Sequence, residues 1–238
     1  MNIGVFAYNF PHWKTQEGVH NLILKGFKPK VILAADPVPL NFPHSQIRIV
    51  PKDLYLTHPQ EIAKYHNIDY HVVKHNSQAT SDLIKQYNLD MGVILGARIL
   101  KPIAFSNFKI GVLNLHPGIL PQNRGLDNIK WAIIDNLPQG VTTHLINEKI
   151  DMGFFIEQEN INVYPDDTLL DLHLRIQNLE QKLMISSLKI LHKSSKNLSP
   201  LSKGNYHKAV PLDIEKTLLT KFKTYKNIYP ELIMYGYS

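Results

Sequence analysis

The sequence contains no cysteine among its 238 residues. This absence excludes disulfide bonds, zinc–thiolate sites, iron–sulfur clusters and cysteine nucleophiles. Long apolar runs are also lacking, since the longest stretches, such as Val31–Ala35, contain only a few residues. We therefore expect no membrane span and no membrane partner. The first residues lack the basic region and cleavage site of a secretory signal, so a soluble cytoplasmic protein is the expected class.

Arginine is scarce, because only four of the 26 basic residues are arginine, namely Arg48, Arg98, Arg124 and Arg175. Nucleic-acid surfaces usually draw on clustered arginine side chains, so this scarcity speaks against a nucleic-acid partner. The formal net charge of +6 also suits a small anionic ligand. Nine lysines and two acidic residues lie between Lys189 and Lys226, and a solvated basic tail is the simplest interpretation.

The common nucleotide and hydrolase motifs are missing. The chain has no G-x-G-x-x-G, no G-x-x-x-x-G-K-[ST] and no G-x-S-x-G, which disfavours dinucleotide redox chemistry, P-loop hydrolysis and the serine-hydrolase elbow. His71 and His75 are four residues apart, but they lie in a predicted strand, where that spacing does not bring side chains together. We therefore expect no metal site.

Short β-branched runs alternate with segments of helical period, which is typical of an α/β protein with a Rossmann-like, mostly parallel sheet. The predicted strands are residues 3–7, 31–35, 47–50, 70–73, 91–95 and 111–115, followed by a strand pair at 141–146 and 153–157. The predicted helices are residues 18–26, 59–66, 78–87, 127–134 and 168–192.

The organisation predicts a catalytic domain at residues 1–193 and a second region at 194–238. The second region would begin with a Ser/Lys/Pro-containing linker at 194–200. A small C-terminal helix/strand appendage would follow, with a helix at 212–225 and a strand-like run at 232–235.

One stretch suggests chemistry. Asn114 and His116 are two residues apart at the end of a predicted strand and so point the same way, and ligands of open α/β sheets bind outside such carboxyl ends. A loop rich in proline and glycine follows, and Asp151 comes 35 residues after His116. An amide donor, an imidazole and a carboxylate in one cleft would suit acyl transfer, although a structural histidine and a turn aspartate are the commoner explanation.

The pattern N-x-H-x-x-x-L-P-x-x-x-G, followed by D-x-G at Asp151, resembles the folate-dependent formyltransferases, over about residues 3–193. This family includes methionyl-tRNA formyltransferase, glycinamide ribonucleotide transformylase and the nucleotide-sugar N-formyltransferases. The resemblance implies the formyltransferase fold and an enzyme that transfers a formyl group from 10-formyltetrahydrofolate to an amine. It also implies that Asn114 and His116 polarise the formyl carbonyl and stabilise the tetrahedral intermediate. Asp151 would keep His116 protonated or relay the proton of the amine.

The resemblance also assigns donor contacts. Ala97, Arg98, Ile99 and Leu100 match the family segment whose backbone binds the pterin ring, and Asn147 and Glu148 lie in the turn that closes over that ring. His144 is expected to be structural. The sequence departs from the family at Pro117-Gly118, where many relatives have a residue followed by serine, so a hydroxyl contribution there is in doubt.

The choice of acceptor rests on the remaining segments. Too few residues follow the linker for the C-terminal barrel of the tRNA-directed enzyme, and residues 9–18 lack the glycine-rich phosphate loop of the purine enzyme. The loop at 122–128 resembles the acceptor side of the sugar N-formyltransferases. We therefore expect a nucleotide-linked amino-dideoxy sugar, such as dTDP-4-amino-4,6-dideoxyglucose, used for O-antigen or lipopolysaccharide synthesis. The alternatives are a glycinamide ribonucleotide transformylase-like enzyme and a non-catalytic folate- or nucleotide-binding module.

Three side chains are candidate acceptor contacts. Lys14 could meet a pyrophosphate, Trp13 could stack on a base or sugar, and Arg124 could bind phosphate or carboxylate. A solvated lysine and a tryptophan that covers the core are the competing explanations. The aromatic residues Tyr229, Tyr235 and Tyr237 could pair with another subunit, which would give a homodimer.

Overall fold

The computed structural model describes residues 1–39, 45–47 and 49–234, with the backbone alone for residues 229–234. The strands are β1 (Ile3–Tyr8), β2 (Val31–Ala35), β3 (Asp69–Val72), β4 (Met91–Ile94), β5 (Gly111–His116), β6 (Arg124–Gly125), β7 (Gly140–Leu145), β8 (Phe154–Asn160) and β9 (Tyr206–His207). The helices are α1 (Trp13–Leu24), α2 (Pro59–Tyr65), α3 (Gln78–Gln86), α4 (Pro102–Phe105), α5 (Asn128–Ile134), α6 (Leu169–Lys193), α7 (Leu212–Glu215) and α8 (Leu218–Met234).

Seven strands form one sheet in the order β3-β2-β1-β4-β5-β7-β8. The first five are parallel, β7 pairs antiparallel with β5, and β8 pairs antiparallel with β7. The central strands are continuous apolar runs because helices cover both faces, with α1 and α6 on one side and α3 and α4 on the other. This arrangement confirms the predicted α/β class with a mostly parallel sheet.

Helix α6 forms as the apolar spacing predicts. Leu172, Ile176 and Leu179 are buried at intervals of three and four residues, so one face of the helix packs into the core. At its start, the Thr168 side chain accepts a hydrogen bond from the Asp171 backbone N–H, and the Asp171 carboxylate accepts one from the Thr168 N–H. This reciprocal capping box ends the preceding loop and begins the helix.

The chain after residue 193 packs into the body of the protein. Val210, Leu218, Phe222 and Tyr225 lie in the same buried cluster as apolar residues of α5 and α6, and the Tyr225 hydroxyl donates to the Leu137 carbonyl at 2.6 Å. The strand β9 pairs in parallel with β6 in a separate two-stranded sheet. The C-terminal region therefore shares its core with α5 and α6.

Two predicted strands are wrong. Residues 47, 49 and 50 lie outside any strand, because Ile47 and Ile49 bury their side chains against the α5–α6–α8 core as part of a loop. Residues 232–234 belong to α8, since extending a formed helix outweighs the β propensity of a short run. Of the tail tyrosines, Tyr235 and Tyr237 lie outside the described residues, as does residue 48.

Helix α1 begins at Trp13, earlier than the predicted start at residue 18. Apart from residues 47–50, the other predicted helices and strands of the first 193 residues agree with the observed ones within a few residues, and the short elements α4 and β6 were not predicted. Among the residues that the structure describes, no helix is long and apolar enough to cross a membrane.

Candidate active site

A cavity of about 880 Å³ opens at the carboxyl ends of β1, β4 and β5. This is where ligands bind in open α/β sheets, and the volume suits a ligand of several rings. Asn114, His116 and Asp151, the three predicted catalytic residues, all line this cavity. The structure therefore brings together two side chains of β5 and a loop carboxylate that follows His116 by 35 residues.

Asn114 is held by a neighbouring strand. It lies opposite His144 in the antiparallel pairing of β5 and β7, and its Nδ2 lies 3.1 Å from His144 Nε2. His144 Nδ1 lies 3.3 Å from the Leu145 carbonyl, which assigns the ring proton to Nδ1 and leaves Nε2 to accept from Asn114. One amide N–H of Asn114 is used in this way, and the second can serve another acceptor.

His116 is fixed from both sides of its ring. It is 3% exposed, and its Nε2 donates to the Asn123 carbonyl at 2.7 Å. Its Nδ1 lies 3.4 Å from Asp151 Oδ1. The ring is therefore held by a backbone carbonyl at Nε2 and faces the Asp151 carboxylate with Nδ1.

Asp151 stands between the two histidines. Its Oδ1 also lies 3.9 Å from His144 Nε2, and its Oδ2 accepts the Gly125 backbone N–H at 2.9 Å. The residue has φ of 50°, a left-handed conformation that aspartate and asparagine adopt more readily than most side chains. The loop backbone and β6 together aim this carboxylate at the cavity.

Burial sets the charge state of two further histidines. Burial, together with the charge of His116, lowers the pKa of His144 to about 4. Burial, together with the Lys14 ammonium, lowers the pKa of His12, which also lines the cavity, to about 4. Both rings are therefore neutral near pH 7, and His144 keeps the lone pair that orients Asn114.

The predicted donor contacts also line the cavity. Residues 97–100 form one wall and residues 147–150 form another. The Tyr8 hydroxyl donates to the Ala97 carbonyl at 2.9 Å, and Asn147 Nδ2 donates to the Met152 carbonyl at 2.9 Å. The lining also includes the apolar residues Leu95, Leu100 and Ile146, among others. An apolar lining beside polar backbone groups fits a flat heterocycle such as a pterin.

A second cavity of about 260 Å³ lies beside the first, and Lys14, Pro117, Asp127 and Asn128 line both. Lys14 Nζ forms an ion pair with Glu180 Oε1 at 2.7 Å and donates to the Leu115 carbonyl at 3.2 Å. The predicted acceptor contact at Lys14 thus lies at the junction of the two cavities, with its charge balanced by a buried carboxylate.

Trp13 and Arg124 lie elsewhere. The described residues that line the two cavities do not include either side chain. Trp13 packs near His173, with ring centroids 5.9 Å apart. Arg124 is 7% exposed and donates to the Ile150 carbonyl at 2.6 Å and to the Gly204 carbonyl at 3.0 Å. These contacts make Arg124 a link between the Asp151 loop and the C-terminal region.

Sequence reasoning missed several residues of the site. That His144 is structural stays a prediction, and its contact with Asn114 follows from its register opposite that residue, which the sequence alone does not give. Asn128, which donates to the Asn123 carbonyl at 3.0 Å beside His116, carries no local motif. Tyr206 and Lys208 line the main cavity from far along the chain, and sequence spacing gives no sign of that.

The comparisons with known proteins agree with this geometry. Residues 44–188, more than half of the chain, match the family model described as formyl transferase. The chain therefore belongs to the formyl transferase family, which confirms the resemblance read from the motif. The members of this family are enzymes, and their formyl donor is 10-formyltetrahydrofolate.

Individual matches differ in extent. A methionyl-tRNA formyltransferase of Chlorobium chlorochromatii is 29% identical over 115 residues, which are 48% of this chain and 37% of that protein. The chain thus matches little more than a third of the length of this curated relative. A phosphoribosylglycinamide formyltransferase structure from Bacillus halodurans has a TM-score of 0.63 at 23% identity, covering 83% of this chain and 98% of that one.

A sugar N-formyltransferase structure from Shewanella has a TM-score of 0.58 at 22% identity and covers 87% of this chain and 76% of that one. At these identities, the two structural matches establish the fold. They therefore confirm the formyltransferase fold. They do not identify the acceptor, which has to be inferred from the chemistry of the site.

Proposed function

We propose that this protein transfers a formyl group from 10-formyltetrahydrofolate to the amine of a nucleotide-linked amino-dideoxy sugar. The observation that carries the formyl transfer is the convergence of Asn114, His116 and Asp151 on the wall of one cavity. The acceptor would be a sugar such as dTDP-4-amino-4,6-dideoxyglucose, made in the cytoplasm for O-antigen or lipopolysaccharide.

The residues fit the donor. The main cavity is large enough for a folate and has an apolar lining beside residues 97–100 and residues 147–150. When bound, 10-formyltetrahydrofolate would supply an activated formyl carbon. Backbone groups of Ala97, Arg98, Ile99 and Leu100 would hold the ring edge, with Asn147 and Glu148 closing over it.

The side chains divide the chemistry between charge stabilisation and proton transfer. The second Nδ2–H of Asn114 would donate to the formyl oxygen as negative charge develops there. A protonated His116 would add positive charge at the same wall, where Asn123 and Asp151 hold its ring in place. Asp151 is the carboxylate placed to take the proton that leaves the amine.

The second cavity supports a sugar acceptor. Its polar lining includes His173 Nε2 and Gln177 Oε1, which are buried without a hydrogen-bond partner in the described part of the chain. These atoms could bind hydroxyl groups, while Ile129 and Ile176 offer apolar surface to a deoxy carbon. Because Glu180 neutralises Lys14, the lining suits a hydroxylated ring better than a lone phosphate.

A mass-spectrometric end-point assay tests this proposal. Purified protein would be incubated with 10-formyltetrahydrofolate and a panel of dTDP-, UDP- and GDP-linked amino sugars, together with glycinamide ribonucleotide. We expect a formyl-sized mass gain on an amino sugar and none with the Asn114→Ala variant. A gain on glycinamide ribonucleotide alone would assign the protein to purine chemistry. Folate binding without any product would favour a binding module.

A homodimer stays a prediction. Sedimentation of the purified chain would test it directly, with a mass near twice 27.3 kDa as the supporting result.

A further inference from the structure

Residues 204–210, called the tail arm here, lie against the active site along fixed backbone contacts. The Leu126 N–H donates to the His207 carbonyl at 3.0 Å, and the Val210 N–H donates to Asp127 Oδ2 at 2.9 Å. Trp131 Nε1 donates to the Lys208 carbonyl at 2.7 Å. The backbone of the tail arm is therefore held by the same loop and helix that border the cavity.

The approach of the tail arm is close. A Cβ atom on Gly125 would lie 2.1 Å from the His207 carbonyl oxygen, and one on Gly204 would lie 1.7 Å from the Pro121 carbonyl oxygen. Gly125 also has φ of 99°, a backbone conformation that favours glycine. Only residues without a side chain at these two points allow the arm to reach this position.

Side chains of the tail arm alternate. His207 faces inward, with its ring centroid 4.6 Å from that of Trp131 and its Nε2 3.7 Å from Asp135 Oδ2. Its neighbours Tyr206 and Lys208 line the main cavity, as expected for positions two apart on an extended chain. Tyr206 is 46% exposed and Lys208 is exposed.

The position of these two side chains favours the donor over the acceptor. Tyr206 and Lys208 line the cavity that also contains residues 97–100 and 147–150, and the second cavity is lined by other residues of the described chain. In the described part of the chain, no carboxylate forms an ion pair with Lys208. The Arg124 guanidinium lies over the Tyr206 ring, 5.9 Å from its centroid, and Tyr206 and Lys208 both line the cavity that would take the donor.

We propose that Tyr206 and Lys208 form a subsite for the p-aminobenzoylglutamate half of the folate donor. The Tyr206 ring packs against the benzoyl ring, and the Lys208 ammonium attracts the glutamate carboxylates. This inference rests on the proposed function, because it takes the donor from there. It adds a contact from residues outside the 44–188 segment that matches the family.

Equilibrium binding in the absence of any acceptor tests the subsite. The probe is 5-formyltetrahydrofolate, a stable folate that keeps the benzoylglutamate, and the readout is its Kd by titration calorimetry. Because Lys208 is exposed, we expect Lys208→Ala to raise the Kd about two- to fivefold at low salt. We expect Tyr206→Ala to raise it about three- to tenfold, and Tyr206→Phe to stay near wild type.

Two controls separate the subsite from other causes. Lys203→Ala removes the lysine just before the tail arm, which does not line the cavity, and it should leave the Kd unchanged. With the methylamide of 5-formyltetrahydropteroic acid, which has neither the glutamate nor a free carboxylate, Lys208→Ala should bind as wild type does. Equal losses for the two probes, or an unchanged Kd for 5-formyltetrahydrofolate, would overturn the proposal.

The outcome is independent of the acceptor. A Lys208-dependent Kd for the folate, combined with no formylated sugar, would support the subsite while the proposed acceptor fails. An unchanged folate Kd with a raised acceptor KM would place Tyr206 and Lys208 in an acceptor site and overturn the inference. Thermal unfolding of each variant should match the wild type, since both side chains are exposed.

Discussion

The two halves of the active site are built differently. Asn114, His116 and His144 lie on β5 and β7, and the two histidines are 3% and 1% exposed. The other walls come from connecting segments, where Ile99 is 62% exposed and Ile150 is 37% exposed. The predicted catalytic side chains of the strands are thus fixed by sheet pairing and core packing, while the other cavity walls are exposed segments that can vary without disturbing the sheet.

Asp151 belongs to both halves. It lies on an exposed turn, but its carboxylate reaches the two strand histidines and is held by the Gly125 N–H. Variants at Asn114 should therefore affect rate alone, and variants of the residues that link to the Asp151 loop should affect rate and stability together. The following predictions test that division.

The largest effect on rate is expected for Asp151→Asn. Asparagine tolerates the left-handed backbone and can still accept from Gly125, so the fold should be retained. Loss of the carboxylate should lower kcat by ~10²–10⁴, the usual contribution of a general acid–base group. Asp53→Asn is the matched control, because Asp53 has φ of 52° and is exposed. If Asp151→Asn instead lowers the Tm so far that unfolding accounts for the lost activity, the carboxylate is mainly structural.

Next in size is Asn114→Ala. Removing this amide donor should lower kcat by ~10²–10³, as for other donors to a developing oxyanion, with little change in the KM of either substrate. Asn21→Ala, which removes an amide hydrogen bond to the Gln181 carbonyl far from the cavity, should leave kcat near wild type. A rate for Asn114→Ala within about twofold of wild type would remove Asn114 from the mechanism.

Arg124→Lys tests the link between the halves. A lysine cannot span the Ile150 and Gly204 carbonyls as the planar guanidinium does. We expect a loss of about 1–3 kcal/mol in the free energy of unfolding, with a lower kcat because the Asp151 loop shifts.

The matched control is Arg175→Lys. Arg175 forms a bidentate pair with Asp167 away from the cavity, so this change should lower stability without lowering kcat. A raised acceptor KM for Arg124→Lys at unchanged stability would instead support Arg124 as an acceptor contact.

The smallest effect concerns pH. The pKa of His144 is about 4 in the folded protein, against an ordinary value of 6.5. Between these values the unfolded chain binds the proton and the folded chain does not, so stability falls as the pH falls from 6.5 towards 4. His144→Gln should reduce the slope by up to about 1.4 kcal/mol per pH unit in urea titrations. His192→Gln, at an exposed position, should leave the slope unchanged.

Much of the fold and part of the candidate site could be predicted from local patterns in the sequence. Periodicity located the parallel strands and α6, because burial on two faces or on one helical stripe leaves a direct trace in residue order. The spacing of Asn114 and His116 also placed both on one wall, since alternate residues of a strand share a face. Asp151 required the family motif, because nothing local brings a turn residue to a strand 35 positions earlier.

Contacts between distant segments could not be predicted. Ile47 and Ile49 pack against the apolar cluster of α5, α6 and α8, and alternation in the sequence does not distinguish that packing from sheet pairing. The Arg124 side chain reaches Gly204 across 80 positions of sequence, and the two-residue strands β6 and β9 are too short to show a period. Such links depend on where the sheet and helices have already placed the chain.

The seam between β6 and the tail arm also has a dynamic consequence. The amide hydrogens of Arg124, Leu126 and Val210 all donate across it, so exchange of these hydrogens with solvent requires the seam to open. If the seam opens as one cooperative unit, the three amides will exchange at a common rate. A ligand that binds only the closed form will then slow all three together by the factor 1 + [L]/Kd, which makes deuterium uptake at this seam a label-free measure of occupancy.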